Sequence, residues 1–104
     1  MLGLVASTVV HPAGHDPEFL WRAAVEGRTG LRPNDLDWCS VNGWVGRVPE
    51  VESTPLPSTL TQWDCRNHRL AWLALRDPVF AKSVGAIIAR YGAQRVGLLL
   101  GTST

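Results

Sequence analysis

Two short runs without a single polar side chain constrain this chain most. Leu2-Gly-Leu-Val-Ala6 stands near one end and Val96-Gly-Leu-Leu-Leu-Gly101 near the other. Neither alternates polar with apolar residues, so each reads as a strand buried on both faces, as in the interior of a parallel sheet. Such strands need helices above and below and a strand neighbour at each edge. A two-stranded sheet is marginal in water. The expectation is an α/β fold in which residues 1–104 form an incomplete first part, because a crossover helix would be expected to follow the second run. A small domain that completes itself by oligomerising is the alternative.

Composition narrows the function classes. With 104 residues the chain is one domain's worth of polymer. Five Trp and 45% hydrophobic residues exclude a disordered segment. Lys and Arg (10) barely exceed Asp and Glu (9), which argues against binding nucleic acid by neutralising phosphates. Two Cys are too few for a disulfide scaffold and read as free thiols of a reducing cytoplasm. No apolar run approaches the ~20 residues that span a bilayer, and Met1–Val10 lacks the basic flank of a signal peptide.

The segment between the runs is patterned for helices. Asp16-Pro17-Glu18 predicts a helix start, with Asp16 capping, Pro17 at the first position and Glu18 near the positive end of the dipole. Leu20, Ala23 and Ala24 fall on one face, and Gly27 supplies the stop. Residues 28–59 are less regular: Gly43–Val48 reads as a short strand, and Pro49, Pro55 and Pro57 mark a surface connection. Thr59 or Thr61 could cap a second helix reaching about Arg76, with Trp63, Leu70, Ala71 and Ala74 on its apolar face. Asp77-Pro78 ends it and opens a third, on which Phe80, Val84, Ile87, Ile88 and Tyr91 make one stripe at the helical period before Gly92.

Candidate chemistry is sparse. His11 and His15 are four apart, but Pro12 and Gly14 between them disfavour a helix and no third ligand is near, so two loop histidines are the plainer reading and no metal site is assigned. Cys65 and His68, three apart on the second helix, could make an activated thiolate helped by Arg66 and Arg69. Without an orienting third group or an oxyanion hole, packing is the plainer role for Cys65, as it is for Cys39. Trp21, Trp38, Trp44, Trp63 and Trp72 read as core or interface anchors rather than a stacking platform. Gly97–Thr104 would form the carboxyl edge of a strand, where open α/β sheets collect ligands.

Several of these pieces, in this order, resemble the start of a β-ketoacyl-acyl-carrier-protein synthase of the thiolase-like superfamily. The resemblance rests on Gly14-His-Asp16, Leu20-Trp21-Arg22 and Glu26-Gly27-Arg28-Thr29-Gly30-Leu31, and on Arg95–Thr102, which is similar to the family's second core strand. Asp64-Cys-Arg-Asn-His-Arg-Leu70 looks like a subgroup associated with aryl-polyene or related pigment pathways. Ala6-Ser7-Thr8 departs from the family's Gly-x-Gly, and residues 32–59 match loosely. The resemblance implies a parent acyltransferase that condenses acyl and malonyl thioesters with loss of CO₂, with an acyl carrier protein as partner, a homo- or heterodimeric assembly, a cytoplasmic location and no cofactor. The family's nucleophilic Cys and two His belong to later sequence, so Cys39, Cys65, His11, His15 and His68 inherit no catalytic role. Thr104, with Ser103 beside it, aligns with a position that lines or gates the acyl pocket, and a Thr there implies tolerance of an extended or polyunsaturated chain.

Overall fold

The computed structural model describes residues 2–101. In chain order the regular elements are α1 (Pro17–Val25), β1 (Leu31–Pro33), β2 (Trp44–Gly46), α2 (Arg66–Leu75) and α3 (Pro78–Tyr91), with 3-10 turns at Ser58–Trp63 and Ala93–Arg95. The fold is mixed helix and sheet, and the sheet is a two-stranded antiparallel ribbon. No helix among the described residues is long and apolar enough to cross a membrane.

Local capping chemistry sets the ends of α1 and α3. The Asp16 carboxylate accepts from the backbone N–H of Glu18 at 2.7 Å and of Phe19 at 3.2 Å. At the other end Gly27 turns left-handed (φ 69°). This lets the N–H of Gly27 reach Ala24 O and that of Arg28 reach Ala23 O at 2.7 Å, a Schellman pair that satisfies two terminal carbonyls. In α3, Pro78 takes the first position and Asp77 accepts from Phe80 N–H at 2.8 Å.

The second helix begins later than its apolar pattern predicts. The chain makes a 3-10 turn from Ser58, leaves helical geometry at Asp64 and Cys65, and enters α2 only at Arg66. The cause is visible in the side chains. Thr61 lies within the 3-10 turn and donates its hydroxyl back to Ser58 O at 2.9 Å, while the N-cap position of α2 falls to Cys65. Asp64 grips Arg69 through two bonds of 2.6 and 2.7 Å. Residues five apart on one helix point about 140° away from each other. Asp64 can therefore meet Arg69 only from outside the helix.

Of the ribbon, β2 falls inside the expected strand at 43–48, but its partner β1 has no strand pattern of its own. Leu31 pairs with Gly46, Arg32 with Val45 and Pro33 with Trp44. Asn34 holds the connection: its side-chain amide donates to Cys39 O (2.7 Å) and Val41 O (2.8 Å), while its oxygen accepts from Leu36 N–H. The Pro12–Ala13 loop crosses beside this ribbon, close over Gly30 and Gly46.

The core is small. Val48, Val51 and Leu73 cluster, with Val10 and Leu70 packed against them, so the segment after β2 and one face of α2 form its centre. Ala23 and Phe80 are buried apart from it. The α3 stripe is covered unevenly: Phe80 is buried, Val84 and Ile87 are half-buried, and Ile88 and Tyr91 are exposed.

The parallel strands expected from the two apolar runs are not formed. Leu2–Ala6 and Val96–Gly101 lie outside the ribbon and take no strand partner among the described residues. Leu2 is fully exposed and Leu99 is 97% exposed. A strand exists only through a neighbour's hydrogen bonds, and neither run has one. The whole molecule is correspondingly open. Its radius of gyration is 16.1 Å, against about 13 Å for a compact domain of this length. Its accessible surface is 8184 Å², about 2,400 Å² more than a compact protein of its mass presents.

Candidate functional site

The two residues assigned to an acyl pocket, Ser103 and Thr104, lie outside the described residues. The stretch leading to them, Gly97–Gly101, is exposed and belongs to no sheet. The strand whose carboxyl edge was expected there is not formed among the described residues.

His11 and His15 flank a tight turn. His11 and Gly14 exchange backbone hydrogen bonds of 3.1 and 2.9 Å, and His11 Nδ1 accepts from Ala13 N–H at 3.0 Å. His15 Nε2 is buried without a hydrogen-bond partner. No group of three or more His, Cys, Asp or Glu side chains gathers in metal-binding fashion among the described residues. His15 does line an open cleft of about 550 Å³, together with Phe19, Phe80 and Val79 and the stretch Val5–Thr8. The caps Asp16 and Asp77 also border it, and each already accepts from its own helix.

Cys65 and His68 do not form the pair their spacing allows. Cys65 stands at the N-cap of α2, exposed and making no capping bond. His68 Nδ1 sits on the carbonyl oxygen of Trp63, which places the ring proton on Nδ1. No hydrogen bond joins the thiol to the imidazole among the described residues. The two arginines expected to favour a thiolate are engaged elsewhere: Arg66 Nε donates to Glu52 Oε1 at 2.8 Å, and Arg69 holds Asp64 and also donates to Glu52 O at 3.1 Å.

The strongest electrostatic feature is this clamp, which the sequence reading missed. The side chains of Arg69 and Asp64 retain only 25% and 19% of their exposure, so water screens them less than the other ion pairs. The hydrogen bonds from Arg69 hold the Asp64 carboxyl below its ordinary range, against the opposing effect of burial. The same bonds raise the Arg69 guanidinium. The signal in the sequence was an acid five residues ahead of an arginine across a helix start, a spacing that makes sense only if the helix begins between them. Its chemistry is structural, fastening the 52–64 segment to α2.

The tryptophans are not core anchors. Trp21, Trp38, Trp44 and Trp63 are each more than half exposed, and only Trp72 is partly covered. Trp63 and Trp72 border a shallow apolar groove of about 240 Å³ with Leu56, Leu60 and His68. Cys39 is half-buried in the loop that Asn34 holds. Comparison with known protein families, curated proteins and solved structures finds no match to this chain.

Proposed function

We propose that the chain is the N-terminal part of a 3-oxoacyl-acyl-carrier-protein synthase with a thiolase-like fold, from fatty-acid or polyene biosynthesis. The observation that carries the reading is the pair of apolar runs, outside any sheet and largely exposed, as strands meant for the interior of a parallel sheet would be without their neighbours. The Glu26–Leu31 motif supports it: both of its glycines take left-handed conformations, so the motif has a backbone reason for its glycines.

In the parent, a Cys thiolate outside these residues takes an acyl group from its carrier protein, releasing the carrier thiol. A malonyl carrier thioester loses CO₂, and the resulting carbanion attacks the enzyme-bound thioester. The β-ketoacyl carrier leaves and the thiolate is regenerated. Two His stabilise the enolate and the oxyanion. The present residues supply scaffold, two core strands and, through Ser103 and Thr104, one wall of the acyl pocket. By themselves they do not catalyse. The acyl carrier protein is the partner, the parent is a homo- or heterodimer in the cytoplasm, and the reaction draws on no metal or organic cofactor.

The test is complementation. The chain is co-produced with a thiolase-like condensing enzyme of this class from which the first two strands have been deleted. Amide exchange at residues 2–6 and 96–100 should slow, and malonyl-dependent condensation should return. A remainder that folds yet leaves both runs exchanging freely would overturn the reading. In the complemented enzyme Thr104→Ile should shift products toward shorter chains, and an unchanged profile would remove Thr104 from the pocket wall.

A further inference from the structure

We propose that Asn42-Gly43 is a self-modification site, where the Gly43 amide nitrogen closes on the Asn42 side chain and converts residue 42 to aspartate or isoaspartate. The chemistry is independent of the synthase reading, because it needs only water and residues of this chain.

The chain has three asparagines, Asn34, Asn42 and Asn67, and the fold treats them differently. Asn34 is held at both ends of its amide: Nδ2 donates to Cys39 O and Val41 O, and Oδ1 accepts from Leu36 N–H at 3.0 Å. Asn67 lies in the first turn of α2, with its backbone fixed by the helix and the side chain of His68 following. Asn42 is exposed, outside every helix and strand, and its side chain makes no hydrogen bond among the described residues. The residue after it is glycine, so no Cβ crowds the attacking nitrogen. A Cβ placed on Gly43 would meet nothing within 4 Å, so the space beside it is open as well. Continuing the ribbon register, Gly43 stands opposite Asn34 and accepts its N–H at 2.8 Å. The return bond is not made: Gly43 N–H donates to no group among the described residues. The nitrogen that must react is therefore untied.

The Gly43 nitrogen bonds to Asn42 Cγ as the Cγ–Nδ2 bond breaks. The Gly43 amide proton leaves with Nδ2 as ammonia, and a five-membered succinimide remains. Water then opens one of its two carbonyls. Opening at Cγ gives aspartate. Opening at the main-chain carbonyl gives isoaspartate, in which the backbone runs through Cβ and Cγ. Either product takes the formal net charge from +1 to zero.

The second product bears on the ribbon. Asn34 grips the chain on both sides of residue 42, at Val41 O through Nδ2 and at Gly43 O through its own N–H, both at 2.8 Å. Isoaspartate inserts an extra main-chain atom between these two anchors, so the spacing that both bonds fit is lost.

The full chain is incubated in mildly alkaline buffer and mapped by mass spectrometry after digestion, with the aspartyl and isoaspartyl peptides separated by elution. Conversion at Asn42 should run at least tenfold faster than at Asn34 or Asn67, with ammonia released in step and both isomers formed. Gly43→Ala, for which the fold has room, should slow it at least tenfold. The folded chain should convert within a few fold of the rate in urea, because the fold leaves the site open. Conversion at Asn42 no faster than at the other two asparagines would overturn the proposal. So would a Gly43→Ala chain that converts as fast as the native one, or a folded rate tenfold or more below that in urea. Amide exchange at Asn34 N–H should quicken in the isoaspartyl product and not in the aspartyl one, and unchanged exchange in both would overturn the effect on the ribbon.

Discussion

Asp64 and Arg69 form the least solvated ion pair among the described residues. Because the folded state lowers the Asp64 pKa, its contribution to stability is present above the ordinary carboxylate range and is lost as pH falls through the lowered folded value. Urea midpoints measured from pH 6 down to pH 2 should show the gap between the native chain and Asp64→Asn closing only in the acid part of that range. A gap independent of pH would mean that the pair does not carry it. Glycines separate two backbone effects. A Cβ on Gly27 (φ 69°) would meet nothing within 4 Å, so Gly27→Ala bears only the left-handed penalty of about 1–2 kcal/mol. A Cβ on Gly30 (φ 68°) would lie 2.6 Å from the backbone of Pro12 and Ala13. Gly30→Ala should therefore cost clearly more than Gly27→Ala in the same denaturation assay. Equal losses would show that the Pro12–Ala13 loop does not press on the ribbon.

At the scale of elements, helix starts respond to one side chain. Asp77→Ala removes a cap from α3 and should lower stability by about 1 kcal/mol, read as a shifted urea midpoint. Cys65 already has the extended backbone of an N-cap (φ −147°, ψ 166°) but no capping bond. Cys65→Ser should raise stability by about 0.5–1 kcal/mol; a loss would contradict the start of α2 at Arg66. These ends also show what a sequence discloses. Asp16-Pro17 and Asp77-Pro78 were legible because a cap is a contract between residues two or three apart. The late start of α2 was not, since the apolar positions 63, 70, 71 and 74 keep helical spacing across the break and hide it. Leu31-Arg-Pro33 gave no sign of being a strand, because its hydrogen bonds come from residues 44–46. The apolar runs were legible as strand material but not as strands, for the same reason. Of the candidate site, the Cys65 and His68 spacing suggested a meeting that the Trp63 carbonyl prevents.

On the whole-molecule scale, surface area sets the response to denaturant. An unfolded chain of this mass exposes ~16,500 Å², so folding to 8184 Å² buries about three quarters of what a compact domain of equal mass would bury. The urea m-value of the dilute monomer should be reduced in the same proportion. A full-sized m-value would mean that the apolar runs are covered. The Cα atoms extend 49 × 39 × 21 Å. A body 21 Å across its thin direction has no backbone atom much more than 10 Å from one of its two broad faces. Catalysis by aimed dipoles draws its strength from places that water cannot enter. A slab this thin has little depth in which to keep a reacting group dry. Any chemistry that takes place on it must bring its own roof.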